Sequence, residues 1–362
     1  MPQLYVGLMS GTSLDGIDGV LVDLASGKPQ LLAHCRHAFD DGLRAELLAL
    51  NTAGSNELER AAHAANVLSR LYAATVKALL AQTPARQAIR AIGCHGQTVR
   101  HCPADGYTIQ LVNGALLAEL TGFDVVCDFR SRDIAAGGEG APLVPAFHQA
   151  VFADSNTHRV IANIGGIANL TDLPVTGEVT GFDCGPGNLL LDAWTQRHRN
   201  QPFDRDGAWA ASGQVLPALL KRLNSEDFFT REPPKSSGRE SFNLAWLERH
   251  LAGDEIAADV QATLLALTAG SIADAIMKFC AGASEVYLCG GGARNTALVS
   301  TLAAQLQPRK LASTDALGID AEHVEAMAFA WLAGRALDAL PGNLPAVTGA
   351  RAARILGAIY RA

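Results

Sequence analysis

The stretch Leu4-Tyr5-Val6-Gly7-Leu8-Met9-Ser10-Gly11-Thr12-Ser13-Leu14-Asp15-Gly16-Ile17-Asp18 decides the fold. Leu4–Met9 is a short apolar run that reads as a strand, and Ile17–Leu24 alternates partly and reads as a second. The segment is therefore predicted to be a β-hairpin closed by a turn rich in glycine and hydroxyls. Glycine lets such a turn bring its N–H groups close to phosphate oxygens, and hydroxyls add donors. It is neither a Walker A loop, which needs Gly-Lys-Ser/Thr, nor a dinucleotide fingerprint, which needs a following helix. Taken by itself it is equally an ordinary hairpin turn.

The pattern returns further along the chain. Arg159–Ile164 reads as an apolar strand, Gly165-Gly166 as a turn, and Ile167–Leu170 as the returning strand. The match of Val6–Thr12 with Ile161–Ile167 predicts a duplicated hairpin, each copy opening an α/β domain. The chain has 362 residues, a length that suits two domains. A polar, glycine-rich stretch, Asp128–Pro142, marks the boundary. The expected domains are 1–140 and 141–340, with 341–362 available to rejoin the first. Helical spacing runs through Glu57–Leu80, Asp259–Cys280 and Ala321–Leu340, and Val125–Cys127 reads as a strand.

Composition narrows the function classes. The chain is 49% hydrophobic and 18% charged, with a net charge of −7 and no Lys/Arg block, so nucleic-acid binding is not expected. Seven cysteines without a C-x-x-C pair support neither a zinc ribbon nor a disulfide framework, and they read as reduced core thiols. No basic leader and no run of 18 apolar residues occurs, so neither a signal peptide nor a membrane span is predicted, and a cytoplasmic location is expected. A homodimer is compatible with this reading.

Five further segments carry candidate chemistry. Gly290-Gly291-Gly292 follows a strand and would let a flat ligand lie on the backbone, or serve as a plain β–α connection. Asp183, in Gly181-Phe182-Asp183-Cys184-Gly185-Pro186-Gly187-Asn188, reads as a carboxylate in a turn ahead of a helix. There it suits a general base, or a helix cap. Arg130 could hold a carboxylate or sugar hydroxyl by its fork, or pair with Asp128 or Asp133. His95, Gln97 and Thr98 follow a buried strand, where α/β proteins place ligands, although a lone histidine there is more often structural. Glu325 sits among Ala326, Met327, Ala328, Phe329 and Ala330 and needs a polar partner or the surface.

Together these segments resemble the anhydro-N-acetylmuramic acid kinases. Gly7–Asp18, His95–Thr98, Asp128–Arg130, Gly137–Pro145, Asn163–Asn169, Asp183–Asn188 and Gly290–Ala293 run in that family's order across nearly the whole chain. The resemblance implies two RNase H-like domains of the actin, hexokinase and Hsp70 type with an interdomain active-site cleft. It implies an ATP- and Mg²⁺-dependent kinase acting on a small sugar. Such an enzyme hydrolyses the 1,6-anhydro bond and phosphorylates O6 in cell-wall sugar recycling. It further implies Asp183 as the base, the nucleotide on Gly11, Thr12, Ser13, Leu14, Asp15, Gly16, Ile17, Asp18, Gly165, Gly166 and Gly290–Gly292, and the sugar on Arg130 and Glu325. His95, Gln97 and Thr98 join the sugar side. Many kinases of this group carry an aspartate where Met9-Ser10 stands, so no metal ligand is assigned. An ordinary sugar kinase of the same fold, or an ATP-driven binding protein, is the rival.

Overall fold

The computed structural model describes residues 2–83, 89–239 and 241–362. Contacts divide the chain into two compact units, Met1–Val151 with His323–Ala362, and Phe152–Glu322. The first division thus falls after Val151 rather than after Gly140. The returning segment begins at His323 rather than at Pro341.

In the first unit, β1 (Leu4–Met9), β2 (Gly16–Asp23) and β3 (Gln30–Ala38) form an antiparallel meander. β4 (Ile89–Cys94) then joins parallel to β1, and a separate hairpin follows, β5 (Gln97–Cys102) with β6 (Tyr107–Leu111). β7 (Val125–Cys127) lies parallel to β4. The second unit repeats the plan. β8 (Arg159–Ile164), β9 (Ile167–Leu173) and β10 (Thr180–Pro186) form the meander, and β11 (Glu285–Cys289) and β12 (Lys310–Ser313) add in parallel. The last strand of the chain, β13 (Ala358–Tyr360), closes the first sheet antiparallel to β7. The sheet orders are β13-β7-β4-β1-β2-β3 and β10-β9-β8-β11-β12. Both contain the order of an RNase H-like sheet, a three-strand meander followed by two parallel strands.

Helices bury the sheet faces. Glu57–Ala81 turns Leu68, Tyr72, Val76 and Leu79 onto Leu4, Val6 and Leu8. Each fully buried aliphatic side chain there contributes about 1.5–3 kcal/mol. Leu58, which the periodicity puts on the same face, is instead 90% exposed in the first turn. Ala257–Phe279 is long and apolar enough to cross a membrane, and most of it is buried, with Val260, Leu264, Leu267, Ile272 and Ile276 in the second core. The helix Val324–Leu337 belongs to the first unit. Gly7 of β1 and Gly93 of β4 are register partners, and a Cβ on them would collide with the carbonyl oxygens of Ala326 and Phe329. Two bare backbones side by side let this helix sit directly on the sheet. None of the seven cysteines forms a disulfide, and five of them are buried.

Candidate active site

The turn between β1 and β2 spans residues 10–15. Leu14 N–H donates to the Gly11 carbonyl at 3.3 Å, and Leu14 takes a left-handed φ of 57°. That conformation is costly for leucine and is offset by burial of its side chain, 3% exposed. The Ile17 side chain is fully buried in the core. Thr12, Ser13, Asp15 and Asp18 are at least partly accessible. Ser13 Oγ donates to Asp15 Oδ1 at 2.8 Å, and Arg36 reaches Asp15 at 2.5 Å and Asp18 at 3.8 Å. Gln97, fully buried at the start of β5, donates from Nε2 to the Gly11 carbonyl at 3.1 Å. Its Oε1 is buried and has no partner among the described residues.

Below the turn, Ser10 Oγ bonds Tyr72 OH at 2.7 Å, and the Ser10 carbonyl meets His95 Nδ1 at 3.3 Å. His95 Nε2 lies 2.8 Å from Arg130 Nη2 and 3.2 Å from Arg130 Nε. A guanidinium only donates, so Nε2 is the acceptor and the ring proton sits on Nδ1, directed at Ser10. Burial, reinforced by the Arg130 charge, pushes the His95 pKa down to about 3. His95 is therefore neutral, with both nitrogens engaged, and it holds Arg130. Arg130 Nη1 donates to the Gly140 carbonyl at 2.8 Å. Thr98 Oγ1 accepts from Gln110 at 3.2 Å. Glu325 lies in the first turn of Val324–Leu337, one turn before Phe329, whose ring is 4.7 Å from that of His95. The i, i+4 spacing puts Glu325 and Phe329 on one helix face.

In the second unit, the carbonyls of Gly165 and Gly166 are taken. Gly166 accepts from Gly187 N–H at 2.9 Å and Leu189 N–H at 3.1 Å, and Gly165 accepts from Asn188 N–H at 2.8 Å. The Asn188 side chain donates to the Ile164 carbonyl at 3.1 Å. Gly290 has a φ of 78°, and a Cβ there would collide with Asn163 Oδ1, a buried oxygen with no partner among the described residues. Gly291 and Gly292 begin the 3-10 turn Gly291–Arg294.

Asp183 lies within β10, not in a turn ahead of the helix Leu189–Arg199. The bulge at Asp183/Gly185, not a helix cap, sets its direction. It is 7% exposed. Its N–H donates to the Lys235 carbonyl at 3.0 Å, and its Oδ2 accepts Ser237 N–H at 2.9 Å. The segment making these bonds reads in sequence only as a Pro/Ser loop. Lys235 anchors it: Nζ lies 4.9 Å from the Phe228 ring centre, 5.7 Å from Phe279 and 6.0 Å from Phe182. Nζ also donates to the Phe228 carbonyl at 3.1 Å. Burial lowers the Lys235 pKa. No spacing rule signals this clasp, because it joins residues more than 50 positions apart.

No group of three or more His, Cys, Asp or Glu side chains able to hold a metal is present among the described residues. A nucleotide-borne Mg²⁺ needs fewer, since it keeps waters and takes one or two carboxylates besides phosphate. The orphaned oxygens Gln97 Oε1, beside Gly11, and Asn163 Oδ1, beside Gly290, fit a polar ligand at both glycine motifs.

A family profile described as anhydro-N-acetylmuramic acid kinase matches residues 3–362. An anhydro-N-acetylmuramic acid kinase of Nitrosomonas europaea is 58% identical over 361 residues, covering 99% of each chain. One of Nitrosospira multiformis is 56% identical over 361 residues with the same coverage. Among solved structures, the activator of the 2-hydroxyisocaproyl-CoA dehydratase from Clostridium difficile with bound ADPNP aligns at 15% identity and a TM-score of 0.45, over 90% of this chain and 92% of its own.

Proposed function

The chain belongs to the anhydro-N-acetylmuramic acid kinase family, and from that premise we propose that it converts 1,6-anhydro-N-acetylmuramic acid, ATP and water to N-acetylmuramic acid 6-phosphate and ADP. The reaction would serve cell-wall sugar recycling in the cytoplasm. The observation that carries this reading is the Asp183 carboxylate. It is buried, one oxygen is held by the Ser237 amide, and its backbone is tied to Lys235. A base oriented before the substrate arrives loses little freedom during reaction.

Asp183 would take a proton from a water whose oxygen attacks C1. The C1–O6 bond breaks with its electron pair going to O6. O6 then attacks the γ-phosphorus, and the bond to the β–γ bridging oxygen breaks with its pair leaving on ADP. Such transfer depends on positioning and charge neutralisation more than on covalent help. The Gly11–Asp18 turn would hold phosphates through its amides and the hydroxyls of Thr12 and Ser13, with Leu14 and Ile17 acting through backbone alone. Gly165 and Gly166 would add amides, and Gly290–Gly292 would carry the adenosine. Mg²⁺, when bound with ATP, would supply neutralising charge, with Asp18 or Asp183 as the candidate carboxylate. Arg130 and Glu325 would hold the sugar, with Gln97 and Thr98 beside them, and His95 would act through Arg130.

ADP release compared across acceptors tests the reading. Release is expected with 1,6-anhydro-N-acetylmuramic acid and not with glucose. Equal or faster release with N-acetylmuramic acid would instead mark an enzyme that phosphorylates a free hydroxyl.

A further inference from the structure

Asp133 is fully buried, and among the described residues three neutral donors, not an ion-pair partner, meet its carboxylate. Oδ2 accepts the Gly140 amide at 2.8 Å. Oδ1 accepts Asn343 Nδ2 at 2.6 Å and Thr348 Oγ1 at 2.8 Å, from residues more than 200 positions away. The surrounding backbone is stitched in the same sense. Glu139 N–H donates to the Thr348 carbonyl at 2.7 Å, Arg351 N–H to Ala136 at 2.9 Å, and Arg354 N–H to Asn343 Oδ1 at 2.6 Å. The loop closes so tightly that a Cβ on Gly138 would strike Asp133 Oδ2. A buried carboxylate is costly unless its oxygens are satisfied, so this cluster holds one geometry.

That geometry ends on Arg130. The same Gly140 whose amide Asp133 holds presents its carbonyl to Arg130 Nη1. The Asp133 and Ile134 amides in turn donate to the Arg130 carbonyl, each at 3.1 Å. We propose that Asp133 is a positioning residue for Arg130, and that Asn343 and Thr348 make the C-terminal segment part of the sugar-binding apparatus. His95 fixes the guanidinium from one side and the Asp133–Gly140 link from the other. This rests on the reading of Arg130 as a sugar-binding residue.

An Asp133→Asn side chain can accept at only one atom and turns an NH₂ towards one of the three donors. KM for 1,6-anhydro-N-acetylmuramic acid and for ATP, measured separately in Asp133→Asn, Thr348→Ala, Thr348→Ser and Arg130→Ala, tests the proposal, with thermal unfolding of each variant alongside. Asp133→Asn is expected to raise the sugar KM about tenfold while the ATP KM stays within about twofold, and Thr348→Ala about threefold. Thr348→Ser, which keeps the hydroxyl, restores the sugar KM. If Asp133→Asn does not fold, Thr348→Ala and Asn343→Ala decide. A lowered unfolding temperature with an unchanged sugar KM, or parallel rises for sugar and ATP, overturns the proposal. A sugar defect in Arg130→Ala without one in Thr348→Ala overturns the link through Asp133 and the C-terminal segment alone. An unchanged sugar KM in Arg130→Ala overturns the sugar role of Arg130 and the proposal with it.

Discussion

The two hairpins occupy equivalent places in sheets of equivalent order and end in different turns. The β1–β2 turn has six residues, with accessible hydroxyls and one accessible carboxylate, and its buried leucine takes a left-handed conformation. The β8–β9 turn has two glycines whose carbonyls are tied to the amides of Gly187, Asn188 and Leu189. One copy of the hairpin carries a longer turn with accessible polar side chains. The other is cut short and bonded to the end of β10, the strand that carries Asp183. On the proposed function a duplicated fold would divide its tasks, with hydroxyl contacts to phosphate in one unit and the base in the other, while keeping both sheets.

The strongest test of that division is Asp183→Asn. Turnover is expected to fall by about a thousandfold or more, with ATP affinity retained in calorimetry. Near-normal turnover would remove the base from β10 and with it half of the contrast. Next in size is the turn itself. Replacing Thr12 and Ser13 together by alanine should raise the ATP KM about tenfold, through two lost hydroxyl donors. Gly165→Ala should raise it only about twofold, since the added Cβ meets nothing closer than the Ile167 carbonyl at 3.6 Å. Equal effects would make the two turns functionally alike.

The smallest expected effect is on stability. The first unit buries His95 and His148 and half-buries His101, and this burial lowers their pKa values, His95 to about 3, His148 to about 3 and His101 to about 4. The unfolded chain protonates them near their ordinary value of about 6.5, whereas the folded unit does not. The neutral rings therefore lend their full stability above that value, and it is lost progressively as the pH falls towards 3–4. Hydrogen exchange followed from pH 7 to 4 should show β1, β4 and β5 loosening before β8 and β11. The reverse order would rule out these histidines as the acid-labile element.

Much of this was legible in the chain itself. The β1–β2 hairpin, the Gly165-Gly166 turn, β7 and the long helices are set by local period and turn residues, and each was read within a residue or a few of its observed place. The glycine motifs and the ordered segments of the family resemblance are local too. Three things escaped. β3 is an edge strand with most of its side chains at least partly exposed, so it lacks the apolar run that marks a buried strand. The helix Val324–Leu337 is recognisable as a helix, but its place is set by the paired bare backbones of Gly7 and Gly93, far from it in sequence. His95 reads as a lone ligand until Arg130 is brought against it.

What the amino-acid order determined by itself is therefore the set of elements, the two glycine turns and the residue types able to do phosphoryl chemistry. Those depend on interactions between near neighbours, which the chain carries wherever it goes. The tertiary structure alone decided which carboxylate is oriented by the Ser237 amide, which histidine stays neutral to hold an arginine, and how Asp133 joins Gly140 to Thr348. Each of these is a hydrogen bond or a burial between segments 35 to 215 residues apart. Their partners are chosen by packing, which no local pattern records.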